Sequence, residues 1–295
     1  MIKRIFNTNY VRVGYDKNDL KKEYFLEAKI EFDARGNILV EEHYNSDGGV
    51  ESTTRNEYDE QGRVVASSLF DDTGELTQKN TFYYGADGLL FEKGAIYGVG
   101  SPEYITRCIY EGKLLVREDS YDEGEFVCTE KKYEYDADGL LTKLEEFDED
   151  GKIMYRTTNE YNGNKLLKKR HYEQLQENDS RTFVYEYDAD NHKTKELLYN
   201  YDEKLIAKAY YQYDENGHVS EMEEENLDMY RRTEYAYEGD NCVKIKQFDK
   251  ETLLAWSEFT YNEKGEVLTV SNYIQDEVCP EEYRLASVVT NEMED

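Results

Sequence analysis

Apolar and polar residues alternate along this chain in short bursts, each closed by a turn signal. Two residues after a glycine an apolar residue recurs, as at Ile38, Val64, Leu90, Leu141 and Val267. Further along comes an aromatic: Tyr44, Phe70, Phe147 and Tyr273. Side chains of a strand alternate between its two faces, so these two positions are expected to share a face. Between them that face carries Val40 and Glu42, Ala66 and Ser68, Lys143 and Glu145, or Thr269 and Ser271. Apolar material thus lies at strand ends, and the middles are mostly polar. Segments such as "GRVVASSLF" and "GEVLTVSNY" are rich in β-branched residues, follow no helical period and have strand length. Two sheets packed face to face would need apolar middles. The pattern instead predicts an all-β chain in a single-layer sheet, twisted or spiralling, with aromatic ladders along its margins.

The turns repeat. "FDARGNI" at 32, "YDEQGRV" at 58, "YGADGLL" at 84, "YEGKLL" at 110 and "YDADGLL" at 135 are followed by "YNGNKLL" at 161, "YDADNHK" at 187, "YDENGHV" at 213, "YEGDNCV" at 237 and "YNEKGEV" at 261. Their leading aromatics recur about every 26 residues. A looser series lies between them: "YNSDGGV" at 44, "FDDTGEL" at 70, "YDEGEF" at 121, "FDEDGKI" at 147 and "FDKETLL" at 248. Such a period marks a repeat architecture. The first Asp accepts a hydrogen bond from a backbone N–H two residues on. Gly, or Asn as at Asn191, takes the left-handed conformation that closes a hairpin through a bulge. The expected organisation is an N-terminal cap over 1–24, about ten 26-residue β-hairpin repeats over 25–285 forming a long antiparallel meander, and a tail over 286–295.

Composition sharpens this picture. The chain has 29 Tyr and 11 Phe but only 38% hydrophobic residues, so it is expected to pack tyrosine rather than leucine. Sixty-six acidic residues against 36 basic give a net charge of −30, which repels phosphate backbones and anionic bilayers and steers basic proteins inward. No nucleic acid and no membrane are expected as partners. Cys108, Cys128, Cys242 and Cys279 form no C-x-x-C pair, which argues against zinc. With no apolar run of signal-peptide or bilayer-spanning length, a cytoplasmic location is expected.

The phrase Tyr-Asp-x-x-Gly-x-apolar, carried by Tyr58-Asp59 with Gly62, Tyr135-Asp136 with Gly139, Tyr213-Asp214 with Gly217 and, with Phe in place of Tyr, Phe32-Asp33 with Gly36, resembles the YD repeats of the Rhs family. The resemblance implies a spiralling β-sheet shell of the kind that encloses or displays other domains in large polymorphic toxins. The chain shows neither that family's large delivery region nor its C-terminal toxin domain, and its period points to paired turns. Small acidic proteins built only of such repeats look like companions of toxins, either immunity proteins or scaffolds.

The acidic turn phrase also resembles a metal-binding loop. With Gly139 placed sixth, Glu134, Asp136, Asp138 and Glu145 fall on the ligand positions of a calcium loop. The same alignment on Gly62 ends at Ser68 and on Gly151 at Thr157, so the phrase outlives the ligand set and is read as a hairpin. His43, His171, His192 and His218 belong to no catalytic or metal motif, and Trp256 is expected in an aromatic ladder. No catalytic residue, metal or cofactor is assigned. The looser series fails in three places, "YGVGSPEY" at 97, "YEQLQENDS" at 172 and "EEENLDMYRR" at 223. Alternate turns of a meander lie on opposite edges, so these three should share one edge, where insertions often mark a binding surface. The expected partner-binding residues are Tyr97, Tyr104, Tyr172, Leu175, Met229 and Tyr230, with Glu221, Glu223, Glu224, Glu225 and Asp228 supplying charge. The function expected is non-catalytic binding of a basic protein, such as a toxin domain, by an immunity or antitoxin-type protein or scaffold. The alternative is a structural shell or carbohydrate-binding surface protein.

Overall fold

A computed structural model describes residues 1–13, 16, 19–101, 103–177 and 179–294. Pro102 and Asn178, inside two of the irregular turns, lie outside the described residues, as do Gly14, Tyr15, Lys17 and Asn18 of the expected cap and Asp295 of the expected tail. The described chain is all strand and turn. Its first eleven strands are β1 (Ile2–Arg12), β2 (Leu20–Phe32), β3 (Ile38–Tyr44), β4 (Val50–Tyr58), β5 (Val64–Phe70), β6 (Leu76–Tyr84), β7 (Leu90–Tyr97), β8 (Glu103–Glu111), β9 (Leu114–Asp122), β10 (Glu125–Tyr135) and β11 (Leu141–Phe147). There follow β12 (Ile153–Tyr161), β13 (Leu167–Gln174), β14 (Asp179–Tyr187), β15 (Lys193–Tyr199), β16 (Leu205–Tyr213), β17 (Val219–Asn226), β18 (Tyr230–Glu238), β19 (Asn241–Asp249), β20 (Thr252–Tyr261), β21 (Val267–Gln275) and β22 (Tyr283–Glu294). They belong to one 22-stranded sheet.

The chain divides into two compact units. Unit 1 holds Met1–Thr77, Gln212–Glu223 and Tyr230–Asp295; unit 2 holds Gln78–Tyr211 and Glu224–Met229. In unit 2 the strands from β6 to β16 pair antiparallel, each with the next in sequence.

Unit 1 departs from the expected open-ended sheet. β1 pairs with β2 on one side and with β22 on the other, Ile2 opposite Glu294 and Asn9 opposite Ser287. The ladder therefore runs from β18 through β22 into β1 and on to β5. The expected cap and tail are strands, and they satisfy each other's backbone groups at what would otherwise be two free edges. A buried ion cluster ties this seam. Arg12 pairs with Asp276, and Arg284 donates to Glu277 at 2.7 Å and to the Tyr10 carbonyl at 2.9 Å. Backbone N–H groups of Cys279 and Val278, reinforced by the two arginines, hold the Asp276 carboxyl below the usual aspartate range.

A second departure concerns the faces. Beside almost every turn the pairing slips by one residue, as between Glu57 and Tyr58, where Tyr58 faces Val64 but Glu57 faces Ala66. This bulge flips the alternation. Val64 shares a face with Tyr58, whereas Phe70 lies opposite Thr53 on the other face. The post-glycine apolar residue and the following aromatic are thus on opposite faces, because a strict period of two makes no allowance for the extra residue.

The bulge also explains the tyrosines. In β3 and β4 pairing stops at Val40 opposite Arg55, short of the Ile38 carbonyl. The hydroxyl of Tyr58 donates to that carbonyl at 2.8 Å, and Asn56 Nδ2 donates to it at 3.1 Å. The same bond runs from Tyr110 to Leu90, Tyr135 to Leu115, Tyr161 to Leu141, Tyr187 to Leu167, Tyr237 to Val219 and Tyr261 to Cys242, at 2.6–3.0 Å. Burial pushes the phenols of Tyr58, Tyr110, Tyr135 and Tyr187 up. Phe32, which opens the first unit, needs no hydroxyl; its backbone N–H donates to the Met1 carbonyl. The core is otherwise thin: the buried hydrophobic residues are Ala28, Ile30, Ala66, Cys108 and Cys128.

Candidate functional site

Each hairpin has two ends, here called the first-turn and second-turn ends after the two series. Most first turns share one geometry, and those after Tyr110 and Tyr237 are shorter. Asp136 Oδ1 accepts from the N–H groups of Asp138 and Leu140, both at 2.9 Å, and Gly139 sits at a φ of 78°. Glu145 faces Arg156 at 2.9 Å, and Asp138 faces Lys165 at 2.8 Å. The carboxylates of the calcium-like phrase are therefore engaged with the chain itself. The left-handed position is filled not only by Gly and Asn191 but also by Lys165. Glu203 at φ 58° belongs to a further second-series turn after Tyr199, outside the series read from the sequence.

The histidines are bound into these turns and strands. His192 and His218 each face the Asp that opens their own turn, at 3.3 and 3.2 Å. His171 meets Thr182 at 2.8 Å, and His43 meets Glu41 at 3.2 Å. Trp256 stacks on Tyr273 with centroids 4.7 Å apart, a ladder contact as expected.

Second turns are built differently. A cation from the neighbouring strand lies over the aromatic that opens the turn: Arg55 over Phe70 at 5.1 Å, Arg107 over Tyr121 at 4.1 Å, Lys132 over Phe147 at 4.9 Å and Arg232 over Phe248 at 4.3 Å. Two of the irregular turns also lack the bulge, since β7–β8 and β13–β14 pair without a register slip.

The expected partner-binding residues divide between the units. Tyr97, Tyr104, Tyr172, Leu175, Glu224, Glu225, Asp228 and Met229 lie in unit 2; Glu221, Glu223 and Tyr230 lie in unit 1. Tyr97 and Tyr104 meet at 6.1 Å and are 56% and 51% exposed. Tyr172 stacks instead on Tyr155 at 5.8 Å, and the Leu175 N–H donates to the Met154 carbonyl. Met229, Glu224 and Glu225 line a cavity of about 150 Å³ with Phe183 and Leu198, and Glu225 is held by Lys208 at 2.8 Å. Glu221 pairs with Arg232 at 3.2 Å.

The sequence reading missed the side chains at the tips of the second turns in unit 2. Val99 and Leu227 are each 81% exposed, and Phe126, Val127, Tyr201 and Leu205 are exposed too. First-turn tips of the same unit carry Ala86-Asp87, Ala137-Asp138, Gly163-Asn164 and Ala189-Asp190. The signal was present in the sequence as large apolar residues inside or beside polar turns, but only the structure shows how far each is exposed.

No family model matches the sequence, and no curated protein matches it. Among solved structures, the chain is similar to the TcdB2-TccC3 toxin complex at 14% identity, over 84% of this chain and 16% of that one, with a TM-score of 0.37. The chain thus spans about a sixth of the toxin-complex chain it matches. It is also similar to a porin-like protein from Bacteroides uniformis at 9% identity, over 99% of this chain and 97% of that one, with a TM-score of 0.36. A porin-like protein from Bacteroides vulgatus matches at 13% identity with a TM-score of 0.27. No helix of the described residues is long and apolar enough to cross a membrane.

Proposed function

We propose that this chain is a non-catalytic binding protein that engages a basic protein through the second-turn end of unit 2, as an immunity or antitoxin-type protein or scaffold would. One observation carries the reading. Large apolar side chains, Val99, Phe126, Tyr201 and Leu227 among them, are exposed at that end, on a chain with a net charge of −30. Acidic residues at or beside the same turns, Glu123, Glu125, Glu149, Asp150, Asp202 and Asp228, surround them with charge that a cationic surface would neutralise. Apolar contacts fringed by charge are the ordinary anatomy of a protein interface.

The compartment belongs to the same proposal, which places the chain in the cytoplasm. Cys108, Cys128, Cys242 and Cys279 are free thiols, and burial pushes those of Cys108, Cys128 and Cys242 up. Strand middles are polar on both faces, with Ser52, Thr54 and Asn56 on one face of β4 and Thr53, Arg55 and Glu57 on the other. Such strands offer no continuous apolar band to hydrocarbon.

The test is retention of partners from the source cell on immobilised protein, at low and at physiological salt. The expected result is a basic protein retained by the wild type and lost by a Val99→Asp, Leu227→Asp double variant that folds normally. Retention of no basic protein, or equal retention by the variant, would sink the reading.

A further inference from the structure

Two of the covered rings share one register with their cation. Phe70 faces Thr53, and the cation is Arg55, two residues on; Tyr121 faces Ile105, and the cation is Arg107. At Phe248 the cation Arg232 is instead directly opposite. At the hairpin β7–β8 neither position holds a cation. Tyr97 faces Gln78, so the covering position is Asn80. Its amide oxygen accepts from Gln78 at 3.2 Å, and Ala95 opposite it adds little bulk. Phe70, Tyr121, Phe147 and Phe248 are half-buried, whereas Tyr97 is exposed.

The uncovered ring forms one wall of a slot. Tyr104, inclined at 57° to it, forms the other. Between and below them a cavity of about 530 Å³ is lined by Asn80, Phe82, Ala95, Thr106, Ser120 and Glu130. The Glu130 carboxylate accepts from the Thr106 hydroxyl at 3.4 Å, and Lys93, the cation on the wall, is held by Glu118 at 3.2 Å. Two aromatic faces, a carboxylate and an amide oxygen suit a flat cation.

We propose that this slot receives an arginine side chain of the basic partner, its guanidinium taking the place over Tyr97 that Arg55 takes over Phe70 and Arg107 over Tyr121. The assignment rests on the basic-partner reading above and names the partner's anchor. Arginine is favoured over lysine because its planar head stacks on a ring while its edge N–H groups reach Glu130 and Asn80.

The probe is N-acetyl-arginine methylamide, with the neutral citrulline analogue as its isostere and the lysine analogue as a second cation. Protein labelled with ¹³C at alanine methyls reports through Ala95. The expected result is a saturable shift of Ala95 with the arginine probe and binding weaker by about tenfold with citrulline. The shift should vanish in Tyr97→Leu and in Asn80→Arg, which supplies the missing cation from within. An unmoved Ala95, or both variants responding as the wild type does, would overturn the proposal; equal binding of the lysine probe would overturn the preference for arginine. If Asn80→Arg retains the basic partner as well as the wild type does, the slot is not its anchor and only this inference fails. If Ala95 responds but no basic partner is retained, the slot stands and the broader function fails.

Discussion

The two ends of each hairpin in unit 2 are made from the same kind of turn, yet one is more uniform than the other. At the first-turn end a tyrosine hydroxyl must reach a carbonyl in the preceding hairpin, as Tyr135 reaches Leu115 and Tyr161 reaches Leu141. That bond fixes the distance and direction of the ring, and it is kept even at the shorter turns after Tyr110 and Tyr237. At the second-turn end the closing contact varies: a cation over a ring at Tyr121 and Phe147, a ring on a ring at Tyr172. Such contacts tolerate shifts of orientation, and the turn beyond them is free to lengthen and to carry apolar tips. Directional bonds make the scaffold, and loose contacts leave room for recognition.

The largest expected effect lies in unit 1, at the seam of β1 and β22, which is held by the ion cluster around Asp276. Arg12→Ala leaves Asp276 without its closest partner and should lower the urea midpoint more than any change below. Because the folded carboxyl of Asp276 is depressed, its contribution is present above the ordinary value of 3.8 and is lost as pH falls through the folded value. The Arg12 variant should therefore lose less further stability than the wild type on acidification below about pH 4. An equal loss in both would show that the seam does not titrate through Asp276.

Turn length tests the comparison directly. One glycine inserted between Ala137 and Asp138, in a first turn, should cost about 2 kcal/mol, since it breaks the bulge and displaces Tyr135. The same insertion between Asp202 and Glu203, in a second turn, should stay within about 0.5 kcal/mol. Equal costs would erase the distinction. Tyr161→Phe removes only the hydroxyl and should cost about 1 kcal/mol; Asn159, which also donates to the Leu141 carbonyl at 3.0 Å, should hold the loss near the low end. Asn80→Arg has the smallest effect and the opposite sign, stabilising by about 0.5 kcal/mol if the new guanidinium covers Tyr97. A thermal scan resolves the sign.

Much of the fold was legible in residues alone. The period of Tyr58, Tyr135 and Tyr213 set the hairpins, and the Asp and Gly of each phrase set the turns, because that chemistry is local. The candidate site was half legible. Tyr97 and Tyr104 stood out because their turn departed from the repeat, but Tyr172 is engaged with Tyr155, and Glu221 is neutralised by Arg232. Val99, Phe126 and Leu227 were overlooked because a single apolar residue in or beside a polar turn means little until the structure shows how far it is exposed.

The sequence by itself determined the all-β class, the repeat and the two families of turns, since these depend on interactions within a few residues. Only the tertiary structure decided three things. It joined β1 to β22, a pairing across the whole chain that no local pattern encodes. It placed the bulges, which move Phe70 to the face opposite Val64. And it showed that Asn80 stands where the hairpins at Phe70 and Tyr121 keep a cation, because which residue covers a ring depends on cross-strand register and not on distance along the chain.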